Sequence, residues 1–143
     1  MLTITRLNKK EAKTIINGAV KKAQELSVPM CISVVDESGN LIAFERMDGG
    51  KIHSIIISQD KAFTAASARK ATHEINQACI PGDDNHLFGI HTALGGRMCI
   101  IGGGLPIVSN GKVVGGIGVS SGSPAQDLGC AQAGVEAFSQ LYC

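Results

Sequence analysis

Tryptophan is absent from this chain, tyrosine occurs once and phenylalanine four times. So few flat rings exclude a stacking platform for single-stranded nucleic acid, which needs a series of them along a basic groove. The formal net charge is only +1, so the basic face that nucleic acid or an acidic membrane requires is missing as well. No apolar run reaches the length that spans a bilayer. Met1–Leu7 leads directly into a charged stretch without the apolar centre of a secretory signal, and the expected location is cytoplasmic. Charged side chains are scarce too, at 17% of 143 residues. Because charge is depleted at interface cores, that scarcity predicts a homo-oligomer, with part of the surface buried between copies.

Several chemical motifs are also missing. The five cysteines, Cys31, Cys79, Cys99, Cys130 and Cys143, contain no Cys-x-x-Cys pair. That excludes the common zinc ribbons, thioredoxin-like centres and covalent c-type haem attachment. Reduced thiols used as small core residues are the expectation for a cytosolic chain. Cys79 is separated from Pro81 by Ile80, so no Cys-Pro dipeptide is formed. Gly102-Gly103-Gly104 lacks the lysine and hydroxyl residue of a phosphate loop and precedes a strand rather than a helix. No Gly-x-Ser-x-Gly nucleophile elbow occurs.

What is present is a clear alternation of local signals. Asn8 followed by Glu11 reads as a capping box, and Ala12, Ile15, Ile16, Ala19, Val20, Ala23 and Leu26 follow at helical spacing. Two strands, Cys31 to Val35 and Leu41 to Met47, flank a turn-forming stretch and predict an antiparallel hairpin. A helix from about Ser54 to Lys70 should follow, its alanines small enough to approach a sheet closely. Residues 72–97 are irregular, with a turn at Pro81-Gly82-Asp83-Asp84-Asn85 between two short helical stretches. A strand over Met98 to Ile101 is expected next. Asn110-Gly111 then sits between apolar runs, the signature of a tight hairpin. In its second arm Val114, Gly116, Gly118 and Ser120 share one face, and glycines there predict close approach of a helix, a subunit or a ligand. Ser123, Pro124 and Gln126 open a final helix. Antiparallel hairpins with helices around them give a single α+β domain over residues 1–143, with about five strands.

Three blocks carry a family resemblance: Val34 to Gly50, Asp60 to Ala65, and Gly102 to Ser120. In this order the chain resembles the haem-binding HbpS-like family, which also contains the GlcG-like proteins of glycolate operons and the C-terminal domain of some corrinoid adenosyltransferases. The resemblance implies a profilin-like arrangement, a central antiparallel sheet covered by helices. It also implies a small accessory protein that binds haem or a related tetrapyrrole. The alternative it leaves open is an enzyme or enzyme-accessory factor for a small carboxylate or corrinoid in a metabolic operon, without haem. Some members carry a haem-ligating histidine near the N-terminal helix, whereas residues 1–52 here contain none.

Candidate ligands therefore lie further along. Neutral imidazole is a good iron donor. His53 follows a glycine pair at a helix start, and His86 and His91 flank the apolar Leu87-Phe88-Gly89-Ile90. Five residues apart, His86 and His91 do not share one helical face. Arg46 leaves a strand end and Lys61 lies on the next helix, so both are candidate anchors for a carboxylate or propionate. An internal ion pair of Arg46 with Asp48 or Asp60 is the competing role. Asp83, Asp84 and His86 are read as solvated turn formers rather than a metal site.

Overall fold

The computed structural model describes residues 1–82 and 86–143. The first helix, α1 (Lys9–Leu26), starts at the expected capping box: Asn8 Oδ1 accepts from the Glu11 N–H at 2.9 Å, and Glu11 Oε2 accepts from the Asn8 N–H at 2.8 Å. Strands β1 (Cys31–Asp36) and β2 (Leu41–Arg46) form the first hairpin. Its turn is tied by Asp36 Oδ1, which accepts from the N–H groups of Ser38 and Asn40 at 2.9 and 3.0 Å.

Helix α2 (Ser54–Ala68) follows, then the short α3 (Thr72–Cys79) and α4 (Ile90–Ala93). The second hairpin joins β3 (Gly104–Ser109) to β4 (Lys112–Ser120). Asn110 and Gly111 both have positive φ, 49° and 73°, as the Asn-Gly signal requires. Helix α5 (Pro124–Tyr142) closes the chain behind a second capping box, Ser123 with Gln126. Among the described residues no helix is long and apolar enough to cross a membrane.

One antiparallel sheet runs in the order β2-β1-β4-β3. Helix α2 covers one face against β1, β3 and β4, while α1 and α5 pack together over the other. The main core lies under α1 and α5, where Ile15, Ile16, Ile32, Val34, Ile117, Val119 and Phe138 are buried. The α2 face is thinner, because small residues bring helix and sheet into contact. A Cβ at Gly116 would stand 2.6 Å from the Ala62 carbonyl oxygen, and one at Gly118 would strike the Ser58 carbonyl. The close neighbour expected at these glycines is therefore α2. Hydroxyl pairs satisfy the polar groups trapped there: Ser33 with Ser58 at 2.8 Å and Ser120 with Ser54 at 3.0 Å.

Two expectations are corrected. The sheet has four strands rather than about five, because Met98 to Ile101 does not join it. Its backbone is held by side chains instead: Cys99 N–H donates to Thr64 Oγ1, Asn76 Nδ2 to the Ile100 carbonyl and Thr72 Oγ1 to the Ile101 carbonyl, at 2.9, 3.0 and 2.7 Å. Groups bonded in this way are unavailable to a ladder. Helix α2 also stops at Ala68 rather than Lys70, since Arg69 adopts a left-handed conformation at φ 58°. Asp83 and Asp84 lie outside the described residues.

Candidate functional site

The two cations singled out in the sequence occupy different worlds. Lys61 lies on the sheet side of α2 with its side chain 2% exposed. Its ammonium donates to Asp127 Oδ2 at 2.8 Å and to the Val119 carbonyl at 2.9 Å. Asp127 Oδ1 accepts from the Gly122 N–H at 2.9 Å, so both carboxylate oxygens are engaged. Gly103 runs directly over this pair, with φ 125°, and a Cβ there would lie 2.9 Å from Lys61 Nζ. A charge so enclosed is spoken for and does not reach a ligand in solvent.

Arg46 ends β2 in solvent. Neither anticipated ion pair forms. Asp60 is engaged instead by Arg97 Nε at 3.3 Å, and the Arg97 guanidinium stacks on the Phe63 ring at 3.8 Å. Among the described residues the Arg46 guanidinium has no acidic partner. Its stem packs near Gly50, where a Cβ would sit 3.3 Å from Arg46 Cγ and equally close to Cys31 Sγ. Burial raises the pKa of the Cys31 thiol, and the Arg46 charge partly opposes that rise.

The connection from Arg46 to α2 is firmly built. Met47 N–H donates to the Met30 carbonyl at 2.9 Å, and Gly50 N–H to the Met47 carbonyl at 2.8 Å. Lys51 N–H donates to Ser121 Oγ at 3.1 Å, and Ser121 itself is held at φ 115°, a conformation that side chains rarely adopt. His53 then occupies the N-cap position of α2, exposed, with no capping bond from its side chain. Arg46, Lys51 and His53 are thus three exposed, basic side chains at one end of one helix. Beside them Ile52 and Ile56 are 76% and 66% exposed, an unusual position for large apolar residues. A ligand with an apolar body and anionic arms matches that mixture.

His86 and His91 belong to the segment between α3 and β3 and do not join this group in the chain's build. His86 is exposed in a turn, and His91 sits in α4. The Phe88 ring meets the His91 ring edge-on, with centroids 6.3 Å apart. Nδ1 of His91 is buried with no hydrogen-bond partner among the described residues.

Of the residues grouped at the start of α2, the sequence analysis names Arg46 and His53 as candidates and does not name Lys51, Ser121 or the pair of isoleucines. The signal for the isoleucines was present: Ile52 and Ile56 are four apart, outside the stripe formed by Ser54, Ser58, Ala62 and Ala65.

Comparison with known proteins places the architecture. The family model described as "Haem degrading protein HbpS-like" matches residues 7–136. An uncharacterised 15.0 kDa protein of Citrobacter freundii, from a dhaT-dhaS intergenic region, is 42% identical over 130 residues, which cover 91% of this chain and 90% of that protein. The Klebsiella pneumoniae protein ORFY has a solved structure with a TM-score of 0.95 at 37% identity, covering 99% of this chain and 96% of that one. The structure of PduOC in complex with haem gives a TM-score of 0.88 at 33% identity, over 93% and 95% of the two chains. The chain described above, with its four-stranded sheet between α2 and the α1–α5 pair, belongs to the HbpS-like family.

Proposed function

We propose that this protein is a small oligomeric accessory protein that binds haem or a related tetrapyrrole, at the surface where β2 ends and α2 begins. The observation that carries the reading is the haem complex of PduOC, a solved structure of the same fold over 93% of this chain. The residues present fit such a group. Exposed Ile52 and Ile56 offer apolar contact to a porphyrin face, and Arg46 and Lys51 are cations without acidic partners among the described residues, suited to propionate carboxylates. His53 is the donor beside them, free of any capping bond. Bound haem would supply redox and oxygen chemistry, and this chain's residues would supply apolar cover, charge pairing and one nitrogen. Lys61 has no part in that set, since Asp127 already holds it. His86 and His91 are the alternative donors, and the unpartnered Nδ1 of His91 is the observation in their favour.

Haemin titration into the wild type and the His53→Ala, His86→Ala and His91→Ala variants tests the assignment. The expected result is a saturable Soret shift that is lost in His53→Ala and kept in the other two. Absence of a saturable shift in the wild type rejects haem binding. Loss only in His91→Ala or His86→Ala moves the site to the α3–β3 segment. Sedimentation addresses the assembly: a species larger than the 14.8 kDa chain is expected, and a stable monomer at micromolar concentration overturns the oligomer.

A further inference from the structure

At the other end of α2, about 22 Å away along 15 residues rising ~1.5 Å each, lies a second concavity. It has a volume of about 320 Å³ and is bounded by the N-terminal segment, the end of α2 and the β3–β4 turn. Thr3, Ile4, Thr5, Glu37, Arg69 and Lys112 line it. The N-terminal segment is tethered to the sheet by the Leu7 N–H, which donates to the Val114 carbonyl at 3.2 Å. The Asn110-Gly111 turn places Lys112 at the start of β4, and the left-handed Arg69 ends α2 on the same side of the cavity.

We propose that this concavity binds a small phosphate monoester. Its charge is the reason. Among the described residues neither Arg69 nor Lys112 has an acidic partner, and the hydroxyls of Thr3 and Thr5 make no hydrogen bond. Glu37 does not cancel the two cations, because Arg6 already holds it in a forked pair, Nε to Oε2 at 2.8 Å and Nη2 to Oε1 at 2.6 Å. The carbonyl end of α2 carries partial negative charge, which opposes an anion there, and Arg69 and Lys112 together stand against it.

Two positive charges and two hydroxyl donors match a group that carries close to two negative charges and three acceptor oxygens near neutral pH. Arginine supplies a fixed fork and lysine a point charge. A monocarboxylate would leave one cation uncompensated. Ile4, 62% exposed, provides apolar contact for a short organic body beside the phosphate. The volume sits at the small end of ligand cavities, which favours a compact molecule over a large cofactor.

Amide shifts of the ¹⁵N-labelled full chain, titrated with glycerol 3-phosphate at low ionic strength, test this. Saturable shifts are expected at Thr3, Thr5, Arg69 and Lys112, with inorganic phosphate binding the same residues more weakly. Arg69→Gln and Lys112→Gln should each weaken binding roughly tenfold or more, the scale of one charged hydrogen bond, and the double variant should abolish it. All these side chains are exposed, so a thermal melt should show the variants folded. The proposal is overturned by a lack of saturable shifts, by equal binding in the double variant, or by malonate binding as tightly as the phosphate ester. The double variant should keep any haemin response of the wild type, which separates this site from the one at the start of α2.

Discussion

Lys61 and Arg46 are both cations near α2, yet the fold treats them in opposite ways. Lys61 is 2% exposed and bonded to Asp127 at 2.8 Å, whereas Arg46 stands in solvent and forms no ion pair among the described residues. Removing an ammonium and a carboxylate from water costs several kcal/mol each, and only a close pair with its remaining bonds satisfied offsets that. The Val119 carbonyl and the Gly122 N–H supply those bonds. The pair therefore links α2, β4 and the start of α5. Arg46 has incurred no such desolvation and keeps its charge in water. Burial, rather than residue type, separates the enclosed cation from the exposed one.

The sharpest way to break this contrast is to remove one member of the buried pair. Lys61→Met leaves Asp127 alone in the interior, and Asp127→Asn leaves an unpaired ammonium. Each should cost about 3–5 kcal/mol, a large share of the ~5–15 kcal/mol that holds a domain of this kind. A urea midpoint far below that of the wild type, or insoluble protein, is the expected result. The double variant Lys61→Met/Asp127→Leu should recover much of the loss, since an apolar pair of similar volume leaves no charge stranded. Single variants as stable as the wild type would mean that the pair is hydrated in solution, and the contrast with Arg46 would disappear.

Why the exposure of Arg46 was legible in the sequence while the burial of Lys61 was not follows from what each position depends on. Capping boxes, the Asn-Gly turn and the glycine face of β4 are local, and all were readable because their partners lie within a few residues. Lys61 depends on Asp127, 66 residues away, and no short-range signal joins them. A hint existed: Lys61 lies three residues after Ser58 and four before Ala65, within the sheet-facing stripe of α2. The missing fifth strand has the same origin. Thr64, Thr72 and Asn76 take up the backbone of residues 99–101 from a distance, and β-propensity says nothing about that. The candidate group at the start of α2 was half readable, because Arg46 and His53 are close in sequence while Ser121, which accepts from the Lys51 N–H, is not.

A surface ion pair provides an intermediate case. Arg6 and Glu37 form the forked contact described above, with side chains 53% and 14% exposed. The Arg6 hydrogen bonds pull the Glu37 carboxyl down from 4.5 to about 2. A depressed folded-state value means that the stabilisation is complete above pH ~4.5 and is lost as pH falls toward 2. Solvent screening keeps its size small. The stability difference between wild type and Glu37→Gln should therefore close between those two pH values and shrink in high salt. A gap independent of both pH and salt would place the contribution of Glu37 in packing rather than charge.

The smallest expected effect on stability belongs to Arg46, and it is the one that completes the contrast. Arg46→Ala removes an exposed charge with no ion pair, so its stability change should stay within about 0.5 kcal/mol. Haemin affinity should fall, by about 1.5–3 kcal/mol if the guanidinium holds a propionate. Unfolding measurements and haemin titration on one variant thus report on two separate roles. A large loss of stability would show that the stem packed near Gly50 holds the turn into α2, making Arg46 as structural as Lys61. An unchanged melting curve with weakened haemin binding would leave the two cations as different as their burial makes them.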